Sequence, residues 1–525
     1  MSERKQLVIG TRGSELALWQ ANYTKTILEN NGYKVTLNII KTKGDRITDV
    51  SFEKIEGKGF FTKEIEEALL NKECDLAVHS CKDLPTENPD GLMIAAYSKR
   101  ANPFDILLIR KERTDFLRPL SLCEGAKVGT SSSRRKAQIQ SLRTDITLAD
   151  IRGNVPTRID KLRKGDFDAI ILAAAGIERL ELDVSDLNSV LLCPPIFIPA
   201  PAQGILAYQI RTNDMAALEA CQLLKDDATT VHAQIERDLL TAFQGGCQIP
   251  LGVYCNRDYT HIIKAEAWNK WPLRLTVPTK IVHNQGNELV SFFNHHTKPD
   301  VFISRSLENE DYLVQSMRSN GYKLTGKDFI RFNALDFEIN ISKEDILFFS
   351  SKKGFKYFVE GFPHLSQNHC KIAAMGSGTA QYIRDNGFYV DFTADSTKLE
   401  ASVLAWISTQ PNAHIHIIRG THTAGTLQSI LPQEFTETIV YENNPEEAIE
   451  LRQESILVFT SPQNATAYFE KHQLMEHQDC VCIGSSTSKK LKELHIQHEM
   501  AIEPSVHSLT DAIFYVSFRK NFPLN

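Results

Sequence analysis

Apolar residues in the first 200 positions form short runs separated by segments of helical periodicity. Six of these runs have the length and the β-branched content of buried strands. A regular alternation of strands and helices is typical of α/β domains with largely parallel sheets. The predicted strands are Leu7–Ile9, Val35–Ile40, Leu76–Val78, Ile106–Ile109, Lys127–Gly129 and Ala169–Leu172.

The pattern changes after residue 193. Prolines at 194, 195, 199 and 201 interrupt it, and a helical stretch then runs from about Met215 to Phe243. This stretch leads into Gly245-Gly246-Cys247. The sequence therefore predicts a smaller α+β unit over about residues 215–300.

The back half contains a weak internal duplication. Ile346–Ser351 is echoed 110 residues later by Ile456–Ser461, and Ala374–Thr379 returns 108 residues later as Cys482–Thr487. Each copy places a hydroxyl-rich turn after a predicted strand. We therefore expect two similar α/β lobes, with helix N-termini that offer N–H groups to anions in the cleft between them.

Composition limits the classes of function. The 525 residues exceed what one core accommodates, so we expect three to five domains. Neither a membrane helix nor a signal-peptide core is found, and the ten cysteines include no CxxC pair, which favours a cytoplasmic protein with reduced thiols. The net charge of −6 argues against bulk nucleic-acid binding. Residues 127–164 nevertheless hold ten Lys or Arg against three Asp or Glu, an excess that needs an anionic partner or a solvated helix face.

Three arginine-bearing turns follow predicted strands of the front half. They are Thr11–Ser14, Thr130–Arg135 and Arg152–Arg158. Guanidinium groups bind carboxylates through two parallel hydrogen bonds, so several arginines at strand ends suit a ligand with many carboxylates. One arginine alone is more often a surface residue, and the recurrence carries the prediction.

Two further turns carry a carboxylate and a thiol. The run His79–Pro85 places Asp83 directly after a strand, where sites of α/β proteins are usually found. Cys247 follows two glycines on a loop, although an ordinary buried cysteine remains the alternative. For Asp83 the alternative is a salt bridge to Lys82.

Together these clusters resemble porphobilinogen deaminase, also called hydroxymethylbilane synthase. The resemblance covers roughly residues 5–255 and keeps seven motifs in register. They are Thr11–Gln20, Gly57–Glu64, His79–Pro85, Gly129–Arg135, Arg152–Arg158, Asp168–Ala173 and Gly245–Pro250.

The resemblance implies a fold, a cofactor and site residues. The fold would be two periplasmic-binding-protein-like α/β domains, at about 1–98 with 196–214 and at 99–195, followed by an α+β domain at 215–298. Cys247 would carry a covalent dipyrromethane that is extended by four porphobilinogen units. Asp83 would stabilise the cation left when ammonia departs. Lys58 and Phe61 match a loop that covers the site, and the residues that would bind acetate and propionate groups are Arg12, Ser14, Lys82, Ser132, Arg134, Arg135, Arg152 and Arg158.

Four positions depart from the family pattern. Cys81 replaces Met, Pro156 replaces Gly, Ala202 replaces the Gly before Gln203, and Gln209 replaces Glu. None of them is the acid, the thiol or an arginine. We therefore expect them to affect loop shape and rate more than the type of reaction.

Residues 299–525 are similar to uroporphyrinogen-III synthase, through motifs that include Phe349–Ser351, Val440–Glu442 and Phe459–Pro462. The resemblance implies loss of water from hydroxymethylbilane, inversion of one ring and closure. Tyr441 matches a tyrosine proposed to assist departure of the hydroxyl, although a tyrosine at a strand end is as often part of the core. Hydroxyls that either bind carboxylates or cap helices are Ser351, Ser377, Thr379, Thr460, Ser461 and Thr487.

Two alternatives remain open. The front half could bind a carboxylate ligand without chemistry, as a sensor does, but a sensor needs no thiol on a glycine-rich loop. The back half could be a degenerate structural partner of an active deaminase. We expect a monomer that has porphobilinogen and hydroxymethylbilane as substrates and neither membrane nor nucleic-acid partners.

Overall fold

A computed structural model describes residues 5–42, 62–244, 249–282, 284–366, 370–395, 398–422, 425–431 and 434–523. Within these residues the chain forms five β-sheets, each with helices packed against it. No helix in the described ranges has the length and apolar character needed to cross a membrane.

The first sheet has the order β2-β1-β3-β10-β4, with β1 parallel to β2 and β3, and β10 antiparallel to β3 and β4. Its apolar side chains alternate, so that Leu7, Ile9, Leu76 and Val78 enter one core. The strands are Gln6–Thr11 (β1), Lys34–Ile39 (β2), Leu76–Ser80 (β3), Leu92–Tyr97 (β4) and Leu206–Arg211 (β10), and the helices are Glu15–Asn30, Lys63–Leu70 and Met215–Gln222.

The second sheet has the order β7-β6-β8-β5-β9, with β6 parallel to β7 and β8, and β5 antiparallel to β8 and β9. Its strands are Asp105–Arg110 (β5), Lys127–Gly129 (β6), Thr147–Ala149 (β7), Ala169–Ala173 (β8) and Leu187–Leu192 (β9), with helices Ser133–Leu142, Val155–Arg163 and Ala174–Arg179.

All six strands predicted in the front half are present, but the expectation of largely parallel sheets is wrong. The chain leaves the first sheet after β4 and returns to it in β10. Strands entered by such a crossing are not constrained by the right-handed strand-helix-strand connection that makes neighbours parallel. Both sheets are consequently mixed.

The third unit is an antiparallel sheet of Leu251–Cys255 (β11), Tyr259–Lys264 (β12) and Leu273–Pro278 (β13). Helices Asp227–Ala242, Thr279–Val282 and Gly286–Asn294 accompany it. Helix Met215–Gln222 instead packs into the core of the first sheet through Ala217, Ala220 and Cys221. We therefore propose that the first domain extends to about residue 224, past the expected boundary at 214/215.

The back half has two sheets, one in each lobe. The first, β15-β14-β22-β23-β24, is entirely parallel, and the second, β16-β21-β20-β17-β18-β19, is parallel except for β16 against β21. The strands are Val301–Ile303 (β14), Leu324–Gly326 (β15), Ile330–Ala334 (β16), Ile346–Phe349 (β17), Lys371–Ala374 (β18), Phe392–Thr393 (β19), Ile415–Gly420 (β20), Phe435–Pro445 (β21), Ile456–Phe459 (β22), Asp479–Cys482 (β23) and Glu499–Met500 (β24). The helices are Tyr312–Ser319, Lys352–Gly361, Ser377–Asp385, Leu399–Ile407, Pro462–Phe469, Ser485–Glu493 and Val506–Asn521.

The predicted duplication is confirmed. Its first echo falls on β17 and β22, which lie in different sheets and lead into helices capped by Ser351 and Ser461. Its second echo falls on β18 and β23, each again followed by a helix.

The third unit and the first lobe share one hydrophobic core. Leu275 and Val277 of β13 belong to the same buried cluster as Ile513 and Phe514 of helix Val506–Asn521. Across this contact the Arg274 guanidinium forms an ion pair with the Asp511 carboxylate, and the two residues are 1% and 3% exposed. The expected boundary at 298/299 therefore falls within a continuous core.

Candidate active sites

Asp83 lies at the rim of a cleft in the first domain. Strand β3 ends at Ser80, a turn of 3-10 helix over Cys81–Asp83 follows, and the Asp83 side chain is exposed. The cleft holds about 510 Å³ of unfilled space, part of it open to solvent. Its lining includes Arg12, Ser14, Gln20, Thr62, His79, Ser80 and Asp83.

The turn after β1 supplies Arg12 and Ser14. The Ser14 hydroxyl caps helix Glu15–Asn30 by accepting a hydrogen bond from the Ala17 N–H at 3.4 Å. Ser132 caps helix Ser133–Leu142 in the same way and accepts from the Arg135 N–H at 3.4 Å. Both turns therefore place a cationic side chain beside the positive end of a helix.

Arg134 and Arg135 share a buried carboxylate. Asp105, at the start of β5, accepts from Arg134 Nη1 at 2.8 Å and from Arg135 Nη2 at 2.6 Å. Further bonds to the Ile198 carbonyl from Arg134 and to the Ile171 carbonyl from Arg135 fix both guanidiniums. Although burial opposes ionisation, the two arginines hold the pKa of Asp105 well below its usual range.

Gln203 connects this group to the Asp83 turn. Its side-chain amide donates to Asp105 Oδ1 at 3.0 Å, while its side-chain oxygen accepts from Lys82 Nζ at 3.3 Å. Burial lowers the pKa of Lys82, the neighbouring Asp83 carboxylate opposes that shift, and the Arg135 charge adds to it. A continuous polar chain therefore runs from the second sheet to the carboxyl end of β3.

Arg152 and Arg158 complete the positive side of the site. The Arg158 Nε donates to the Gly153 carbonyl at 2.8 Å. Burial and the charges of Arg135 and Arg152 together lower the pKa of Arg158 to about 10, while the Asp83 carboxylate acts in the opposite direction. The Asp83 charge thus acts on two of the predicted cations, Lys82 and Arg158. Arg135 and Arg152 in turn act on Arg158.

Cys247, Lys58 and Phe61 lie outside the described residues. The helix that leads to the Cys247 loop, Asp227–Ala242, is held against the Asp83 turn by Arg237. The Arg237 guanidinium donates to the Pro85 carbonyl at 2.6 Å and to the Cys81 carbonyl at 3.5 Å. This helix consequently approaches the turn that carries the acid.

Sequence reasoning missed Asp105, Arg179 and the role of Gln203. The role of Asp105 could not be predicted, because a carboxylate at the start of a strand is a common feature with no particular function. Burial lowers the pKa of Arg179, whose Nη2 donates to the Gly204 carbonyl at 2.9 Å and whose guanidinium lies 5.6 Å from the Trp19 ring centroid. Gln203 stands in a proline-rich run that predicts only a loop.

Two departures from the family pattern have visible structural effects. Ala202 adopts a φ of 58°, a conformation that glycine adopts without strain. The Gln209 amide donates to Glu66 Oε1 at 3.3 Å, and its oxygen lies 3.1 Å from His79 Nε2. Burial lowers the pKa of His79 to about 4, so this ring is neutral at physiological pH.

In the back half, Tyr441 lies on β21 and is 3% exposed. Its hydroxyl is 3.4 Å from the Ser351 Oγ at the N-terminus of helix Lys352–Gly361, and burial raises the pKa of the phenol. The Tyr357 ring lies 5.3 Å away. Tyr441 is thus a core residue that keeps a polar tip at a helix N-terminus.

The other predicted hydroxyls differ in their surroundings. Ser351 and Ser461 accept from Gly354 N–H at 3.0 Å and Asn464 N–H at 3.2 Å, which is the capping role given as their alternative. Thr379 and Thr487 are buried, Thr460 is half-buried, and Ser377 is exposed at the first turn of its helix. Binding of carboxylates by these groups stays a prediction.

Comparison with known proteins agrees with this geometry. Residues 7–219 match the family described as "Porphobilinogen deaminase, dipyromethane cofactor binding domain". The porphobilinogen deaminase of Sulfurimonas denitrificans is 49% identical over 255 residues, which are 47% of this chain and 79% of that protein. The chain belongs to the porphobilinogen deaminase family. The deaminase of Maridesulfovibrio salexigens is 46% identical over 252 residues, which cover 48% of this chain and 80% of that protein.

Beyond the porphobilinogen deaminase half, residues 328–511 match the family described as "Uroporphyrinogen-III synthase HemD". This chain is also similar to the crystal structure of uroporphyrinogen-III synthetase from Helicobacter pylori. The match covers 40% of this chain and 96% of that chain, with 20% identity and a TM-score of 0.32. The two family matches confirm the fusion. The chain is a bifunctional enzyme of tetrapyrrole synthesis.

Proposed function

We propose that Asp83 and the cations around it form the site at which the front half joins four porphobilinogen units into hydroxymethylbilane and releases ammonia. One observation carries this proposal: Lys82 and Arg158 lie close enough to Asp83 for its charge to act on both, and Arg135 and Arg152 act in turn on Arg158. Each pyrrole unit brings two carboxylates, so a growing oligopyrrole needs cations that are already in position.

The residues present fit a dipyrromethane bound through Cys247. The cationic side of the cleft suits its carboxylates, and Arg237 holds the helix leading to Cys247 against the Asp83 turn. Dipyrromethane, when bound, supplies the free pyrrole position to which each new unit is joined. Arg12 and Ser14 on one side and Ser132, Arg135, Arg152 and Arg158 on the other would bind the acetate and propionate groups. Arg134, held by Asp105 and the Ile198 carbonyl, would orient Arg135.

Asp83 would act on the pyrrole N–H of the incoming substrate. Positive charge develops on that ring as ammonia leaves, and an exposed carboxylate beside the N–H stabilises this charge. The same carboxylate can accept the proton that is released when the new carbon–carbon bond forms. Lys58 and Phe61 would cover the site during the reaction.

Intact mass of the purified protein tests the front half. We expect an adduct of two pyrrole units that is absent from Cys247→Ser, and an unmodified parent chain from cells able to make porphobilinogen would contradict the proposal. Asp83→Ala should keep the adduct and the unfolding curve while turnover falls by about 10²- to 10⁴-fold. Near-normal turnover would show that another group is the acid.

For the back half we propose closure of hydroxymethylbilane to uroporphyrinogen III with inversion of one ring. The Tyr441 phenol would donate a hydrogen bond to the departing hydroxyl, because its raised pKa keeps it protonated. Porphobilinogen alone should then yield mainly the type III ring. If fresh enzyme yields only the type I ring, in which no ring is inverted, the back half is not a synthase and is only a structural partner of the deaminase.

The assembly and location expected from composition also remain proposals. We propose that the enzyme is a cytoplasmic monomer without membrane or nucleic-acid partners. Light scattering during size exclusion should give a mass near 59.2 kDa. A stable dimer at micromolar concentration would contradict the monomer.

A further inference from the structure

A second large concavity lies where the two halves meet. We name it the seam groove and define it by Lys264, Lys270, Trp271, Phe293, Lys298 and Phe522, which are among its lining residues. It contains about 1970 Å³ of unfilled space, part of it open to solvent. Helix ends of both halves form its walls, so neither half alone has the groove.

The groove is positively charged. Lys264, Lys270 and Lys298 face it, and Glu266 is the acidic residue of its lining. Among the described residues none of the three ammonium groups forms a salt bridge, and the Lys264 Nζ instead donates to the neutral Asn294 Oδ1 at 2.6 Å. Cations left without a carboxylate partner favour an anionic ligand.

Aromatic side chains stand among these cations. The Trp271 indole is half-buried against Tyr312, with ring centroids 5.6 Å apart, and Phe293 and Phe522 add apolar surface. Such a mixture suits a ligand that has flat rings with carboxylates at their edges. A small inorganic anion would use only the lysines.

The groove has walls from both halves of the chain. Lys264 Nζ lies 5.4 Å from the Phe243 ring centroid, and that ring packs edge-on against Phe293 at 5.4 Å. Phe243 is the C-cap of the helix that leads to the Cys247 loop. The opposite wall includes Asn320 and Phe522, at the ends of two helices of the back half.

We propose that the seam groove binds the linear tetrapyrrole polycarboxylate that passes from the front half to the back half. This inference rests on the proposed function of both halves. Free hydroxymethylbilane closes spontaneously to the type I ring. A holding site between the halves would keep it from closing before the back half acts, because bound carboxylates restrict the meeting of the chain ends.

The first test measures binding. Uroporphyrin I, a stable octacarboxylate, should quench the tryptophan fluorescence of the full chain, and Lys264→Gln/Lys270→Gln/Lys298→Gln should bind it about tenfold more weakly. The matched control is Lys25→Gln/Lys225→Gln/Lys356→Gln, which removes three lysines that form surface ion pairs elsewhere. Equal affinity of the two triple variants, or equal quenching by acetate or phosphate, would overturn the proposal.

The second test measures the product. From porphobilinogen, the groove variant should release a type I fraction several-fold above that of the parent and of the control. Its rate of porphobilinogen consumption and its cyclisation of added hydroxymethylbilane at saturation should match the parent. A parent that makes only type I product refutes the function proposed for the back half, whereas an unchanged type III fraction in the groove variant refutes the holding site alone.

Discussion

At the scale of single residues, Asp105 organises more of the front site than any residue that the sequence motifs contain. Its side chain is fully buried, yet it stays ionised because two guanidiniums and the Gln203 amide surround it. These bonds fix the Arg135 guanidinium where its charge acts on Lys82 and Arg158. Positioning of this kind reduces the reorganisation needed when a polyanion binds.

Removing this carboxylate should be costly. In Asp105→Asn two buried guanidiniums lose their partner, so the free energy of unfolding should fall by about 3–5 kcal/mol in urea titrations. The folded pKa of Asp105 is below the unfolded value, so its stabilisation is present above about pH 4 and is lost as the pH falls further. Asp150→Asn, which removes an exposed carboxylate paired with Lys136, is the control. An equal loss of unfolding free energy in both variants would mean that the buried group of Asp105, Arg134 and Arg135 stabilises the fold no more than an exposed ion pair does.

Local rules identified residues whose role depends on their sequence neighbours. The helix caps Ser14 and Ser132 and the first-turn Pro156 follow from such rules. Asp105 could not be identified in this way, because its partners lie about 30 residues away and its burial depends on the packing of a whole domain. Motif resemblance found the arginines but not the carboxylate that holds two of them.

At the scale of elements, the contact between β20 and β21 decides where Tyr441 lies. Gly420 pairs with Tyr441 at an irregularity in the register, and the Tyr441 ring occupies the space where a Cβ of residue 420 would be. Because residue 420 has no side chain, the Tyr441 ring can pack directly over its backbone, and the Tyr441 hydroxyl then reaches Ser351. Close approach of this kind explains a glycine within a strand.

Gly420→Ala should displace the ring. We expect the free energy of unfolding to fall by about 1–3 kcal/mol, because the Tyr441 ring already occupies the space of the added methyl. Cyclisation of added hydroxymethylbilane should fall as well, while porphobilinogen consumption is kept. Gly286→Ala, where no atom lies within 4 Å of the added methyl, should change neither rate. Undiminished cyclisation in Gly420→Ala would argue against a role for Tyr441.

The positions of six of the ten strands in the two front sheets were predicted, because buried strands require short β-branched apolar runs, whereas β4, β7, β9 and β10 were not predicted. The directions of the strands were not predictable, since β5 and β10 are apolar runs like their neighbours. Only the crossing of the chain between the two front sheets makes them antiparallel. Direction therefore depends on connections between domains and not on the composition of the strand.

At the scale of the whole molecule, the two enzymes share structure and not only a linker. Arg274 of the front half bonds Asp511, and its Nη1 donates to the Tyr312 hydroxyl at 3.0 Å, while Thr276 also donates to Asp511 at 2.9 Å. Apolar residues of both halves surround this group. Unfolding of either partner in this core would expose the other.

Breaking the ion pair on one side should destabilise both halves together. Asp511→Ala leaves a buried guanidinium unpaired, and we expect a loss of about 3–5 kcal/mol. The double variant Arg274→Met/Asp511→Leu replaces both charges by apolar groups and should recover most of that loss. Calorimetry that shows two independent transitions, with only one affected by Asp511→Ala, would contradict the shared core.

The same seam makes stability sensitive to acid. Burial and, to a smaller extent, the Arg274 charge together lower the pKa of His261 and of His507 to about 3. Between pH 6.5 and 3 the unfolded chain therefore binds protons that the folded chain does not, so stability falls as the pH decreases. His507→Phe should lose less Tm between pH 7 and 5 than the parent, whereas His477→Gln, at an exposed position, should behave as the parent does. An unchanged pH slope in His507→Phe would exclude this cause.

The internal repeat predicted two lobes because each copy carries the same strand and turn chemistry. No repeat or motif indicated the shared core, whose ion pair joins residues 237 positions apart. Side chains such as Leu275 and Phe514 are typical of any core, and the sequence does not state which apolar faces meet. The seam groove was equally hidden, since its lysines look like surface residues.

The last long helix of the chain has a consequence for synthesis. Val506–Asn521 emerges from the ribosome later than β13 of the deaminase half, yet it covers that strand. The deaminase half therefore reaches its final stability only when this helix has been translated. A message that terminates before the helix would leave the apolar side chains of Leu275 and Val277 without their cover.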